Sequence, residues 1–331
     1  MNALRPLIDQ FGRQHSYLRV SLTDRCNLRC LYCMPKEGLQ WSPTSTHLSN
    51  DELVSIIQIF SEMGIRHIRL TGGEPTLRKG LVSLVQRIAT EATELTDLSM
   101  TTNGLLLEHL AQPLKEAGLQ RLNISIDSLD PERFHDITRG GNLHRVLDGI
   151  EASLQAGFQK IKLNLVLLKD QNEEEIFDFI DFCAKYPKIL ELRCIEYMPF
   201  QARWMKCVSV ETIKEKLSAH YQLIPQEKHP DRGPAREYLI PENDVRIGFI
   251  SPLSNRFCPS CNRLRLMADG SLRSCLAKEK HPPLRDLMRE NYSREQLKSQ
   301  IQAIVWNKVD GHHCREDSGT PFEGTMTRIG G

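Results

Sequence analysis

From residue 17 to about residue 200 the chain alternates short β-like runs with stretches whose apolar residues recur at helical spacing. Few folds accept that rhythm. The runs cover 17–23, 65–71, 98–102, 121–127, 160–168 and 190–198. The first intervening helix places Leu53, Ile56, Ile57 and Phe60 on one face. Ser49 and Glu52 before it are spaced as a capping box, and Gly64 sits at a stop position. Further helices are predicted over 80–91, 105–117, 143–156 and 173–185, two of them ending at Gly118 and Gly157. Strands alternating with helices of this length form βαβ units around a parallel sheet. Several strands end in chemically loaded segments, among them 24–33, 71–75, 101–104, 125–128 and 196–199. A barrel gathers such ends on one face, whereas a doubly wound sheet spreads them along an edge. The expectation is an α/β fold, a partial (β/α)6 TIM-like barrel.

After residue 200 the alternation fades. Residues 226–244 are rich in Pro, Gly and charge and read as a loop or mobile excursion. There follow a strand at 245–251, a hairpin around 267–272, a helix near 293–306 and 25 final residues expected to lack regular structure. Length gives a prior of about two domains, here 1–200 and 201–331. The balance of 43 basic against 42 acidic residues argues against a general nucleic-acid coat. No apolar run approaches the roughly 18 residues of a membrane span, and the start, Met1 to Pro6, lacks a secretory signal's apolar stretch. The expected compartment is the cytoplasm.

Ten cysteines in a reducing compartment point to metal or chemistry rather than disulfides. Cys183, Cys194, Cys207 and Cys314 are scattered, as small buried hydrophobes usually are. The other six form two groups. Cys26, Cys30 and Cys33 lie in the loop after the first strand. Three thiolates can hold three irons of a cubane and leave the fourth iron open to a chelating ligand. A zinc site completed from elsewhere fits the spacing equally well. Cys258, Cys261 and Cys275 again give three thiols, and here spacing alone favours zinc completed by His281, His312, His313 or Cys314. The adjacent Arg263 and Arg265 argue the other way, because two cations beside thiolates suit a site that receives an anion.

The Cys26–Cys33 loop, with Tyr32 before its last cysteine and Gly72-Gly73-Glu74-Pro75 after the second strand, resembles the radical S-adenosylmethionine (SAM) superfamily. The resemblance narrows with Cys258, Cys261 and Cys275, the Asn262-Arg263-Leu264-Arg265 run and the terminal Ile329-Gly330-Gly331. Together these are similar to the MoaA family, the GTP 3′,8-cyclases of molybdenum cofactor biosynthesis. That resemblance implies a radical SAM barrel with one 4Fe-4S cluster, and a C-terminal domain carrying a second. It implies SAM contacts at Tyr32, Gly73, Ser125 and Met198. It implies GTP contacts at Arg19, Arg69, Thr101, Lys162 and Arg263-Leu264-Arg265, with Arg193 a further phosphate-side candidate. No side chain is implied as catalytic beyond the cluster ligands. The reaction implied is hydrogen abstraction from C3′ of GTP by a 5′-deoxyadenosyl radical, followed by a bond from C3′ to C8. A flavodoxin-type electron donor, a homodimer and a next-step enzyme making cyclic pyranopterin monophosphate complete the implied partners.

Charge supports the reading independently. GTP carries about four negative charges, and basic residues on otherwise apolar strands are costly unless paired. Arg19, Arg69, Lys162 and Arg193 lie in four such strands. The Gly72-Gly73 turn lacks the Lys-Ser/Thr of a P-loop, so triphosphate recognition falls to those side chains. His67 stands where the family often has Lys, and is only partly charged near neutrality. Chain ends are usually disordered, but the resemblance implies that the Gly330-Gly331 tail inserts into the barrel. The competing readings are a radical SAM peptide-modifying enzyme with an auxiliary cluster, a non-enzymatic zinc-binding protein and a Gly-Gly sulfur carrier.

Overall fold

Side chains in the barrel strands alternate between apolar and polar, and this alternation fixes which way each strand faces. The computed structural model describes residues 6–200, 206–227, 233–277, 280–290, 293–311 and 325–329. A small antiparallel hairpin, β1 (Leu7–Ile8) and β2 (Gln14–His15), precedes the barrel. The barrel itself runs β3 (Tyr17–Ser21), α1 (Asn50–Glu62), β4 (His67–Thr71), α2 (Leu81–Glu91), β5 (Asp97–Thr102), α3 (Leu107–Glu116) and β6 (Arg121–Ser125). It continues through α4 (Pro131–Thr138), α5 (Leu143–Gln155), β7 (Ile161–Leu167), α6 (Ile176–Ala184) and β8 (Leu190–Glu196). Strands β3 to β8 are parallel neighbours in sequence order. A doubly wound sheet reverses its order at a switch point; this one does not.

The C-terminal part comprises α7 (Val210–Ser218), β9 (Ile224–Pro225), β10 (Arg236–Ile240), β11 (Val245–Ile250), β12 (Arg263–Leu266), β13 (Leu272–Arg273), α8 (Leu284–Arg289) and α9 (Arg294–Trp306). Its strands extend the barrel sheet on both sides. β12 adds in parallel to β3, and β11 adds in parallel to β8. The eleven-stranded sheet therefore ends on β13 and β9, an open arc with the second cysteine loop spanning from β11 to β12.

Leu18, Val20, Ile68, Leu70, Leu122, Ile124, Leu163 and Leu192 face outward under the helices and are buried. Each fully buried aliphatic side chain contributes about 1.5–3 kcal/mol, so the seam between strands and helices carries the stability. The opposite parity, with Arg19, Arg69, Asn123, Asn164 and Arg193, faces the lumen. The capping box at α1 is present: Glu52 N donates to Ser49 Oγ and Ser49 N donates to Glu52 Oε2. Such a cap is worth about 1 kcal/mol.

Three expectations need correction. One helix was expected between β6 and β7, and there are two. α4 starts from the Asp130 cap with Pro131 at its first position, and only Phe134, Ile137 and Thr138 of it are buried, too short a stripe to show as periodicity. The 226–244 stretch contains β10, an ordered strand paired antiparallel with β11 and packed through Tyr238 on Phe249; residues 228–232 lie outside the described residues. The end of the chain includes a short helical turn over Met326–Ile329.

Candidate active site: two thiol loops around a basic lumen

The first cysteine loop leaves β3 and is stitched by its backbone to the turn after β4. Gly73 N donates to Thr23 O at 2.7 Å, and Glu74 N donates to Arg25 O at 2.7 Å. A Cβ on Gly73 would lie 2.3 Å from Arg25 O, so no larger residue fits that approach. Glu74 is 1% exposed. Its carboxylate accepts from Thr76 N, Thr76 Oγ1, Thr102 Oγ1 and Asn103 N, tying the ends of β4 and β5 together. Burial raises its pKa even so. Asn103 in turn donates to Asn27 beside Cys26. Tyr32 donates to Asp127 Oδ2 at 2.6 Å, and Val166 N donates to Asp127 Oδ1. Burial pushes Asp127 up to about 6. Burial likewise drives the Cys26 thiol up to about 12. The contact with Cys33, together with burial, raises Cys30 well above its ordinary value.

The second loop has a different environment. Cys258 and Cys261 lie in and just after a helical turn that leads into β12, and Cys275 follows β13. Burial works to raise the Cys261 thiol, but the Lys308 ammonium and the Arg263 guanidinium outweigh it and bring it down to about 6. Arg263 also lies over the Phe257 ring, 4.7 Å from its centre. Arg13 donates to Cys258 O at 3.0 Å and to Asp310 O at 2.7 Å, held by Asp9 at 2.6 Å.

All six thiols line one cavity of about 300 Å³ at the C-terminal ends of the strands. Among the described residues, no three His, Cys, Asp or Glu side chains close on a single-ion position. Beneath it a second space of about 500 Å³ opens between the N-terminal ends of the strands. Arg19, Arg69, Arg193 and Arg263 line both and form the waist. Strand register sets two of these cations beside a fifth: Arg265 is opposite Arg19, and Arg19 opposite Arg69. Burial, then Arg263, brings Arg265 down to about 9, and burial, then Arg69, brings Arg193 to about 10. Burial and Arg193 bring Lys162 to about 8. All three remain charged at neutrality, which is a lumen arranged for an anion.

Orphaned polar atoms mark where a ligand belongs. Arg69 Nε, Thr101 Oγ1 and Asn164 Oδ1 are buried without a hydrogen-bond partner among the described residues. All three residues line the cavity. These atoms, the three-thiol walls and the glycine approach at Gly73 fit SAM, a cluster at each loop and a polyanionic substrate.

The structure gathers most of the residues picked from sequence. Tyr32, Gly73, Ser125, Met198, Arg19, Arg69, Thr101, Arg193, Arg263 and Arg265 line the thiol-bearing cavity. Lys162 lines the lower space only, where it is paired with Glu191 at 2.7 Å and Glu237 at 2.8 Å. Leu264 is the middle residue of the Arg263-Leu264-Arg265 segment. It has the opposite parity to its arginine neighbours and is fully buried in the core against the helices, so only its backbone is available to the lumen. His67 faces the lower space, stacked on Tyr17 at 6.0 Å. Cys183 and Cys194 are core residues. Gly330, Gly331, His312, His313 and Cys314 lie outside the described residues. The residues just before the terminal glycines do enter the barrel: Met326 and Thr327 line the cavity, Ile329 is buried, and Arg265 donates to Ile329 O at 3.2 Å. Asn164, Arg13 and Lys308 were not singled out from sequence, while Glu74 and Asp127 were read only as members of the loaded segments 71–75 and 125–128. For Asn164 the available signal was its lumen-facing parity in the middle of β7; Lys308 and Arg13 offered none.

An open parallel barrel with three thiols after its first strand defines the class of radical SAM proteins. The Radical SAM superfamily model matches residues 20–183, and the Molybdenum Cofactor Synthesis C model matches residues 190–314. The chain is 42% identical over 336 residues to the GTP 3′,8-cyclase of Listeria monocytogenes, covering 98% of this chain and 99% of that one. It is 44% identical over 311 residues to molybdenum cofactor biosynthesis protein 1 of Drosophila melanogaster, covering 93% of this chain and 54% of the fly protein. The fold is also that of Streptococcus suis SuiB, solved bound to S-adenosylmethionine, with a TM-score of 0.62 at 15% identity, covering 97% of this chain and 79% of that one. The chain belongs to the GTP 3′,8-cyclase family of radical SAM enzymes. With that family come SAM and two 4Fe-4S clusters. The zinc-binding, sulfur-carrier and peptide-modifying readings give way to this membership. No helix among the described residues is long and apolar enough to cross a membrane.

Proposed function

We propose that this chain cyclises GTP to (8S)-3′,8-cyclo-7,8-dihydroguanosine 5′-triphosphate, with Cys26, Cys30 and Cys33 holding the first cluster and Cys258, Cys261 and Cys275 the second. The observation that carries the reading is that both thiol sets and the basic waist face one lumen. Cys26, Cys30 and Cys33 would hold the cluster beside SAM, and with one electron from an external donor that pair would supply methionine and a 5′-deoxyadenosyl radical able to take hydrogen from C3′ of GTP. Closing C3′ onto C8 would then need a second electron and a proton to reach the dihydro product. The protein's part is to bind, orient and exclude water. Gly73, Tyr32, Ser125 and Met198 frame SAM beside the first loop. Thr101 and Asn164, with unmet hydrogen-bonding capacity, face the space between the loops. Arg19, Arg69, Arg193, Arg263 and Arg265 hold the triphosphate, with Lys162 joining from below. The guanine then lies toward Cys258, Cys261 and Cys275.

Arg265 holds the end of the Met326–Ile329 turn, and the reading gives Gly330 and Gly331, which have no side chains, a part in completing the substrate site. The reading extends to a homodimer in the cytoplasm, a flavodoxin-type electron donor, and delivery of product to the enzyme that makes cyclic pyranopterin monophosphate. Anaerobic incubation with SAM, reductant and single nucleotides tests it. The expected result is 5′-deoxyadenosine and cyclised product with GTP and not with ATP or CTP; deoxyadenosine formed without dependence on GTP would overturn the substrate assignment.

A further inference from the structure

Past the end of α9 the chain turns under the second cysteine loop, and Lys308 there is 2% exposed. Its Nζ donates to Arg263 O at 2.8 Å, to Cys261 O at 3.4 Å and to Cys261 Sγ at 3.5 Å. An ammonium has three N–H bonds, and each has an acceptor here. Burying an ammonium costs several kcal/mol unless negative charge lies against it. Among the described residues no carboxylate pairs with Lys308; the nearby Asp9 is committed to Arg13 and His15. The Cys261 sulfur is the one acceptor of the three that carries full negative charge when deprotonated. The same segment is locked in place from the other side. Arg13 grips Val309 O and Asp310 O together with Cys258 O, and a Cβ on Gly311 would lie 3.0 Å from Cys258 Cβ. Residues 308–311 are thus fitted to both cysteines of the turn.

We propose that Lys308 is a positioning residue of the second cluster. Its ammonium donates to the Cys261 thiolate, holds that ligand on its iron and favours the reduced, more negative form. The proposal rests on Cys258, Cys261 and Cys275 being that cluster's ligands. Charge and hydrogen bonds at the ligand sulfurs are the levers by which a protein sets a cluster's potential. The first loop has the opposite surroundings, since its thiols neighbour the carboxylates of Glu74 and Asp127.

The test uses the full chain with Cys26, Cys30 and Cys33 replaced by Ala, so that only the second cluster is present. Potentiometric titration followed by electron paramagnetic resonance, and iron release to a chelator, are compared for Lys308, Lys308→Met and Lys308→Arg. Loss of an outer partner typically costs 10–100-fold in metal affinity. Lys308→Met is expected to release iron at least about tenfold faster and to titrate at a more negative potential, while Lys308→Arg stays close to the parent. Parent-like titration and iron release in Lys308→Met, or an equal shift in both variants, would overturn the proposal. If Lys308→Met is insoluble, Lys308→Gln keeps a donor without the charge and carries the same expectation and refutation. Absence of iron from the Lys308 parent itself would instead defeat the assignment of the second cluster's ligands.

Discussion

The two cysteine loops present three thiols each to one cavity, but electrostatically they are opposites. The loop at Cys26–Cys33 packs into apolar walls beside Glu74 and Asp127, and its Cys26 thiol is pushed up to about 12 by burial. The loop at Cys258–Cys261 is surrounded by Lys308, Arg263 and Arg13, and its Cys261 thiol falls to about 6 against burial, through Lys308 and Arg263. Similar spacing therefore does not mean similar chemistry. A site that must hold a zwitterionic sulfonium amino acid has no need of a strong positive field, whereas a site next to a triphosphate has every need of one. The cations that bias the second thiol set continue through Arg265 into the waist of the lumen, so one basic band serves both the cluster and the nucleotide.

Breaking the band at Arg265 gives the largest expected effect. Arg265→Met removes a buried guanidinium from the waist and its bond to Ile329 O. A charge-assisted hydrogen bond is worth about 1.5–3 kcal/mol, so the KM for GTP rises roughly 10–100-fold, while SAM binding measured by equilibrium dialysis is unchanged. Equal losses for both ligands would erase the distinction between the loops.

Alkylation of the iron-free protein sharpens the contrast. At pH 7 a thiol with a pKa near 6 is about nine-tenths thiolate, whereas one near 12 is almost wholly protonated. Iodoacetamide is expected to modify Cys261 at least about tenfold faster than Cys26, read by peptide mass spectrometry. Equal rates would mean that the cations at the second loop do not act on its sulfur.

A prediction about stability, rather than binding or reactivity, concerns Asp127, which anchors Tyr32 in the first loop. Its folded-state pKa of about 6 lies above the ordinary 3.8, so the folded protein binds the proton more tightly than the unfolded chain. The stability this contributes is fully present below about pH 4 and is lost as pH rises through 6. Iron-free protein is therefore expected to lose up to about 3 kcal/mol across that window. Asp127→Asn should flatten the loss in urea titrations at pH 4 and pH 7. A slope unchanged by the substitution would place the titration elsewhere.

Much of this was legible in the chain because strand parity is strict. An arginine on an otherwise apolar strand has to face the lumen, and Arg19, Arg69 and Arg193 do. The same rule, applied one residue on, would have put Leu264 in the core. Asp130-Pro131 was a readable helix start, but α4 buries too few residues to register as a periodic stripe. β10 was hidden by the proline and charge of its approach, although Tyr238, Leu239 and Ile240 have strand character. Lys308 had no local signal at all. Its burial depends on a cysteine turn 47 residues earlier in the chain, and such long-range pairing appears only when the fold is assembled. The tail was half legible: its glycines suggested insertion, and the turn before them is where Arg265 meets Ile329.

The division of labour between the loops is tested most directly by one variant, Cys258→Ala with Cys261→Ala and Cys275→Ala, incubated anaerobically with GTP, SAM and reductant. The expected result is a protein that retains the first cluster and still forms 5′-deoxyadenosine, with no cyclised nucleotide. Cyclised product at the parent's yield would contradict the account, because the second thiol set would then have no part in presenting GTP to the radical.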